Sequence, residues 1–335
     1  MRVEMIKRKN TLIVIAVLLQ CFVLAAICFQ REMILDSGNI VYMRTAPVDP
    51  RDLFRGDYVR LNYEASSIPK DLIPKELLDN IESKACVYVI YETDDHQVLV
   101  PKKLSANKPP GQEKYIRAYT TGRMSWDASL RYGIEKYFME QGKGRTLETG
   151  KTLKGIRIPL EMEVAIGKRN GIPVLKGYRY AEMGMNMEIA KRGDKKENES
   201  FGLTLKIINA SNKPLAIVHP EDNRTFELEL VSQSKEKEPI EIKGLENKNM
   251  PFSQSDIKII APESVYDIKI DLNGPGYQLQ KGGGQILWKD LKGYQTLRIK
   301  YVSPAPDRLE GLKGFEYLWK GSLYSRNFNR YEFSY

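Results

Sequence analysis

Residues 11–29 read TLIVIAVLLQCFVLAAICF, an apolar run in which Gln20 is the one strongly polar residue. As an α-helix rising 1.5 Å per residue, the run would span about 28 Å, close to the thickness of a bilayer's hydrocarbon core. A helix also satisfies its own backbone hydrogen bonds, which lipid cannot do. The run therefore predicts a single transmembrane helix, with a short basic region before it and the bulk of the chain after it.

The charges on either side of this run predict its orientation. Residues 1–10 carry four basic side chains, whereas Arg31 is the basic residue directly after the run. Positive charge is retained on the cytoplasmic side, so we expect a cytoplasmic N-terminus and an extracytoplasmic bulk. A cleaved signal peptide is the alternative, but its apolar region is usually about 7–15 residues long and ends in small residues. Ile27 is too large for that cleavage site, which favours an uncleaved anchor.

Composition limits the classes of function. The chain has 335 residues, 42% of them hydrophobic and 28% charged, which is typical of a folded protein. The net charge of +9 is spread through the chain without a basic stripe interleaved with aromatics, so we expect no nucleic-acid partner.

The cysteines and histidines are few. Cys21 and Cys28 lie in the apolar run, so Cys86 is the one cysteine in the rest of the chain, and we expect it to be buried. Two distant histidines do not make a zinc site, and we predict no metal or cofactor.

A charged stretch without apolar periodicity, KRGDKKENE at residues 191–199, is the best candidate linker. It separates a β-rich α+β domain over residues 36–192 from a second domain over residues 200–335. In the second domain, short alternating strands separated by turn residues favour a β-sandwich of immunoglobulin type. We expect strands there at residues 294–302, 317–324 and 330–333, among others. The predicted fold class is mainly β.

Within the first domain, the clearest hairpin joins residues 160–166 to residues 172–180. Asn170-Gly171 lies between them and predicts a type I′ turn, which needs positive φ angles. A second hairpin turn is expected at residues 94–97, between strands 86–92 and 98–100. Helical spacing of apolar residues predicts two short helices, over residues 74–81 and 134–141.

Residues 56–63 read GDYVRLNY and describe the start of a strand. Gly56 permits a turn that other residues resist, and Asp57 can accept hydrogen bonds from nearby backbone N–H groups. From there the side chains alternate, placing Leu61 and Tyr63 on one face and Tyr58 on the other. A half-buried strand accounts for this pattern without any catalytic role.

The stretch also resembles the bacterial family named for this motif, the GDYXXLXY proteins. Gly56, Asp57, Tyr58, Leu61 and Tyr63 fill every specified position. The similarity extends to the flanking VYMRTAPVDPRDLFRGDYVRLNYE and YGIEKYFMEQGKGRTLE and to the N-terminal anchor, covering roughly residues 1–180. The resemblance implies a membrane-anchored bacterial protein of unknown activity, often encoded beside a polytopic membrane protein, and it assigns no catalytic residues.

The second domain resembles, less specifically, bacterial Ig-like modules that end in a Trp-x-Gly-x-x-x-Ser pattern. Here the pattern is filled by Trp319, Gly321 and Ser325. Such modules are usually stalks or binding domains, so the resemblance implies contacts with other molecules.

We therefore expect a non-catalytic, membrane-anchored component of a bacterial envelope assembly. The alternative is an envelope hydrolase or peptidase-like enzyme, including a degenerate signal-peptidase-like fold that residues 49–57 loosely match. In that fold a nucleophilic Ser lies three residues before a Pro, but Pro47 occupies the position here. A concave pocket with convergent polar groups and perturbed pKa values would favour the enzyme, and an exposed apolar patch without such a pocket would favour the scaffold.

Overall fold

The computed structural model describes residues 2–46, 58–69, 72–80, 84–121, 129–138, 150–189, 201–233, 240–242, 249–274, 277–291 and 295–333. The predicted linker at 191–199 and the peptidase-like stretch at 49–57 lie outside these ranges. The described chain is mainly β, as predicted, with one long N-terminal helix.

Helix α1 spans Arg2–Ser37 and helix α2 spans Lys75–Asn80. The strands before residue 190 are β1 (Asn39–Ala46), β2 (Tyr58–Arg60), β3 (Asn62–Tyr63), β4 (Cys86–Thr93), β5 (Leu99–Ser105), β6 (Tyr115–Thr120), β7 (Leu130–Arg131), β8 (Lys136–Phe138), β9 (Thr152–Leu153), β10 (Ile156–Arg157), β11 (Leu160–Ile166), β12 (Pro173–Tyr180) and β13 (Met183–Ile189). Those after residue 200 are β14 (Gly202–Asn209), β15 (Leu215–Val218), β16 (Phe226–Gln233), β17 (Ile240–Ile242), β18 (Ile257–Ile260), β19 (Val265–Asp271), β20 (Leu279–Lys281), β21 (Gly284–Ile286), β22 (Gln295–Val302) and β23 (Ser322–Tyr324).

Helix α1 contains the predicted apolar run and extends beyond both of its ends. Its stretch Leu12–Ser37 is long and apolar enough to cross a membrane, and an 18-residue window within it has a mean hydropathy of 3.0. The large apolar side chains of the run are exposed, Leu18 by 63% and Phe22 by 71%. Water would make that exposure costly, whereas a bilayer would not. The expected orientation remains a prediction.

The C-terminal end of α1 packs against the β11–β12 hairpin. Ile34 is 6% exposed, and the Arg31 guanidinium donates a hydrogen bond of 3.2 Å to the Pro173 carbonyl. The helix ends where the Gly38 N–H bonds to the Ile34 carbonyl at 2.9 Å. Gly38 has no room for a side chain, because a Cβ would lie 2.4 Å from the Ile34 oxygen. The helix is thus held against the first sheet.

Two antiparallel four-stranded sheets, β12-β11-β1-β3 and β5-β4-β6-β7, enclose the first core. Alternating apolar side chains supply it, as in Val87, Val89 and Tyr91 of β4. Cys86 was expected to be buried, and that prediction is wrong. The same alternation that turns Val87 and Val89 inward turns Cys86 outward, where it is exposed.

The predicted hairpin of residues 160–180 is confirmed, but its turn is not type I′. Gly171 has a positive φ of 65°, whereas Asn170 is not among the residues with positive φ. Instead the Gly171 N–H bonds to the Gly167 carbonyl at 2.8 Å, and the Asn170 side chain accepts from the Ile172 N–H at 3.0 Å. The connection is therefore a longer loop stabilised by Asn170. The turn at residues 94–97 is confirmed, with Asp94 Oδ1 accepting from the Val98 N–H.

Of the two short helices predicted in this region, one is confirmed and the other is wrong. Helix α2 forms at Lys75–Asn80. Residues 134–141 were predicted to be helical, but Lys136–Phe138 form strand β8, which pairs with β2. The Glu135 carboxylate accepts hydrogen bonds from the Tyr132 and Gly133 N–H groups and fixes a turn just before the strand. Pairing with β2, and not the helical spacing of apolar residues, therefore determines the structure of this segment.

After residue 180 the strands form small antiparallel sheets, β13-β14-β19, β15-β18, β16-β22-β23 and β17-β20-β21, around a second core. Strand β13 contributes Met183 and Met187 to this core, although both residues precede the predicted linker. Assignment to the Ig type remains a prediction. Residues 330–333 were expected to form a strand, but they form a 3-10 turn in which Glu332 accepts from the Asn329 N–H and Phe333 enters the core. Of residues 317–324, only Ser322–Tyr324 are in a strand.

Candidate functional site

Of the motif residues, Leu61 and Tyr63 are core residues. Gly56 and Asp57 lie outside the described residues, and Tyr58 opens β2. Leu61 is 5% exposed and Tyr63 1% exposed, on the shared face that the sequence predicted. The Tyr63 hydroxyl donates a hydrogen bond of 2.8 Å to the Ile134 carbonyl. Leu61 and Tyr63 therefore hold the strand against the first core.

Strand β3 ends at a cavity of about 420 Å³ between the two halves of the chain, so that Glu64, the residue after the strand, lines this cavity. Among the strands that line it are β3 through Asn62, β13 through Met185 and Asn186, and β23 through Tyr324. Each lies at an edge of its own sheet. The remaining described lining residues are Thr45, Tyr63, Glu64, Ser67, Gly150, Arg157, Ile158, Pro159, Leu160, Tyr180, Arg298, Ser325, Arg326 and Asn327. We call this space the junction cavity.

Glu64 is the one carboxyl among the described residues that line the junction cavity. It is half-buried, and burial raises its pKa to about 6, although the charges of Arg44 and Arg298 act to lower it. Within the described part of the chain, its carboxylate has no hydrogen-bond or ion-pair partner. A group of this kind can accept a hydrogen bond or a cation from a ligand, or exchange a proton near neutral pH.

A buried charge network on the β1 side of the cavity joins the two halves. Arg44 is 4% exposed and lies 2.8 Å from Glu161, which Arg179 also contacts at 2.8 Å. Burial alone would raise the pKa of Glu161, but the two guanidinium groups hold it below its ordinary value. Arg44 also donates a hydrogen bond of 2.6 Å to the Ser322 carbonyl of β23. The first sheet therefore contacts the second half through a charged group.

A second network lies on the other side of the cavity. Glu229 and Arg298 are directly opposed in the β16–β22 register and lie 2.7 Å apart, and Lys300 lies 3.1 Å from Glu229. Burial would raise the pKa of Glu229, but these cations hold it below its ordinary value. The Arg298 guanidinium also lies over the Tyr324 ring, 4.2 Å from its centroid. Arg298 therefore lines the cavity with its guanidinium group bound to Glu229.

The hydroxyl groups at the cavity are largely bonded to backbone. Thr45 donates to the Leu160 carbonyl at 3.0 Å, and Ser325 donates to the Arg326 carbonyl at 2.8 Å. Ser325 also accepts from the Ile299 N–H at 2.9 Å. No His, Lys or Cys is among the described lining residues. Within the part of the cavity that the structure describes, no hydroxyl is therefore paired with a His or Lys base.

Other residues considered from the sequence have local structural roles. His219 follows β15, and its ring is hydrogen-bonded to Tyr266 and Asn223 at 3.0 and 2.9 Å. In the Trp-x-Gly-x-x-x-Ser pattern, Trp319 is buried and a Cβ on Gly321 would meet its ring at 2.7 Å. Among the described residues, no three His, Cys, Asp or Glu side chains are grouped for a metal.

Sequence reasoning missed Glu64 as a site residue. One local signal existed, because a carboxylate directly after the buried Tyr63 and before the buried Ala65 has little access to water. Arg298 and Glu229 gave no comparable signal, since their contact depends on the pairing of strands far apart in the chain.

A sequence model of the GDYXXLXY protein family matches residues 20–177. The match runs from within α1 into β12, and over these residues it confirms the resemblance that the motif indicated. No curated protein matches the chain at a significant level.

Proposed function

We propose that this chain, matched over residues 20–177 by the GDYXXLXY family, is a membrane-anchored, non-catalytic component of a bacterial envelope assembly. In this proposal α1 holds the bulk of the chain outside the cytoplasm, and the junction cavity receives a group from a partner. The observation that carries the proposal is the junction cavity with Glu64, whose carboxylate has no partner among the described residues. A second, polytopic membrane protein is the proposed partner of α1.

The attachment of α1 supports a role in positioning. The helix packs on the β11–β12 hairpin through Ile34, and β11 pairs with β1. Strand β1 in turn carries Arg44 to the junction with the second half. An anchor joined in this way would hold the cavity at a constant height above the membrane, as an assembly component requires.

The chemistry of the cavity limits what it would bind. Its volume of about 420 Å³ lies within the usual range for small-ligand sites. Tyr180, Pro159 and Met185 supply an apolar wall, whereas Glu64 supplies a carboxylate. A partner group with an apolar stem and a cationic amine would bury the stem and pair with Glu64. The expected ligand is therefore a cationic segment.

The test uses a photo-crosslinking side chain in the full-length protein, in its native membrane. We would place it at Asn327, which is exposed and lines the cavity, and, as a control, at the exposed Asn273, which does not line it. The expected result is a discrete adduct from position 327 that is lost with Glu64→Gln and absent from position 273. Equal adducts from both positions, or an adduct unaffected by Glu64→Gln, would contradict the proposal.

An envelope hydrolase is a second candidate, and the junction cavity favours it. The cavity has the concave shape, polar groups and raised carboxyl pKa that we expected of an enzyme site. Glu64 would then act as a general acid or base. Glu64→Gln separates the two functions: a hydrolase would keep its ligand but lose turnover, whereas a binding protein would lose the ligand itself.

A further inference from the structure

We propose that the tip of the β11–β12 hairpin is a binding surface for anionic phospholipid headgroups, in the leaflet where α1 leaves the membrane. This proposal rests on the membrane anchoring given under Proposed function, but not on the role of the junction cavity. The tip, residues 167–171, reads GKRNG and places two basic residues, Lys168 and Arg169, next to each other.

The height of the tip follows from its contacts with α1. A Cβ on Gly167 would lie 3.3 Å from the Ile34 side chain, so the tip lies beside the last turns of the helix. Ile34 is five residues beyond Phe29, the end of the apolar run, which at 1.5 Å per residue is about 7.5 Å. The headgroup layer on each side of a bilayer is about 5–7 Å thick. The tip therefore lies at the outer edge of the headgroup layer, within reach of the long Lys168 and Arg169 side chains.

The tip is held at this level by contacts on its other side as well. The Tyr115 hydroxyl donates to the Arg169 carbonyl at 2.8 Å, and the Arg117 N–H donates to the Gly171 carbonyl at 2.8 Å. These bonds use backbone atoms of the tip. The side chains of Lys168 and Arg169 are exposed and form no ion pair with any described residue.

The acidic groups nearby point elsewhere. Glu32 and Asp36 are exposed on the same turns of α1. The helical repeat of 3.6 residues places both on the face opposite Ile34 and Arg31, which contact the hairpin. Lys114, which precedes β6, adds a further exposed basic residue near the tip, next to the exposed Glu113. On the face of α1 that contacts the hairpin, Lys168 and Arg169 therefore join Arg31 as basic groups beside the headgroup layer.

The test measures lipid selectivity of the full-length protein in vesicles of mixed phosphatidylcholine and phosphatidylglycerol. Spin-labelled versions of each lipid report the fraction of lipid slowed by contact with the protein. A basic residue at the surface favours an anionic lipid by about fivefold. Because this preference is diluted over all lipid positions around the helix, we expect Lys168→Gln with Arg169→Gln to lower the phosphatidylglycerol preference by about twofold.

Two control variants make the result decisive. Lys269→Gln with Lys313→Gln removes two exposed charges from the second half and should leave the preference unchanged. Lys168→Arg with Arg169→Lys should retain it. The basic residues at the N-terminus contribute equally to every variant and cancel in the comparison. An unchanged preference in the double Gln variant would overturn the headgroup site, whereas the absence of any slowed lipid would instead overturn the membrane anchor.

Discussion

Glu64 should make the stability of the protein depend on pH in a way that a neutral side chain would not. Its pKa in the folded state is about 6, above the ordinary 4.5, so the folded state favours the protonated form. The stability that this group contributes is complete below pH 4.5 and is lost as the pH rises through about 6. The pKa difference corresponds to at most about 2 kcal/mol.

We therefore expect Glu64→Gln to become more stable relative to the wild type, by about 1–2 kcal/mol, between pH 4.5 and pH 7.5. Thermal denaturation in detergent micelles at the two pH values measures the difference. Glu92→Gln is the matched control, because the Glu92 side chain is 70% exposed and its loss should give little pH dependence. A Glu64→Gln difference that does not change with pH would contradict the assignment.

Arg44 should be far more important for stability than an exposed ion pair. Arg44→Met leaves Glu161 buried with only Arg179 beside it, and removing one partner of a buried pair costs about 3–5 kcal/mol. Lys102→Met breaks the exposed pair with Glu92, in which the side chains are 50% and 70% exposed, and should cost at most about 1 kcal/mol. If denaturant unfolding showed that Arg44→Met and Lys102→Met lose equal free energy of unfolding, the buried network would not join the halves.

At the scale of elements, the junction between α1 and the first sheet depends on Gly38. A methyl group there would lie 2.4 Å from the Ile34 carbonyl oxygen and 3.0 Å from that of Ile166, both backbone atoms that cannot rotate away. We expect Gly38→Ala to cost about 1–3 kcal/mol and to speed hydrogen exchange in the first residues of β1. In Gly284→Ala the nearest atom is 3.7 Å away, so that variant should match the wild type.

The elements that the sequence predicted well are those with a strong local pattern. The apolar run, the 160–180 hairpin and the alternating β4 each repeat one pattern over many residues. The errors came where a contact outside the segment decides the structure. Residues 134–141 have apolar residues at helical spacing, but Lys136–Phe138 within them pair with β2. Residues 330–333 alternate like a strand but turn at Glu332.

At the scale of the whole molecule, the junction cavity was beyond the reach of the sequence. It forms where edge strands from residues 62, 185 and 324 meet, and no local pattern encodes that meeting. The motif correctly predicted that Leu61 and Tyr63 lie on the same face of the strand, because the alternation of side chains alone determines this. It did not indicate that the next residue, Glu64, would border a cavity, since that depends on the second half being in contact.

Membrane topology can be tested with the native cysteines. Cys86 is exposed on the first domain, whereas Cys21 and Cys28 lie within the apolar helix. If the bulk of the chain is outside the cytoplasm, a maleimide that cannot cross the inner membrane should label intact spheroplasts, and Cys86→Ser should abolish that labelling. Cys21→Ser with Cys28→Ser should leave it unchanged, because lipid shields both thiols from a water-soluble reagent. Labelling that requires lysis would put the bulk of the chain in the cytoplasm and remove the basis for an envelope role.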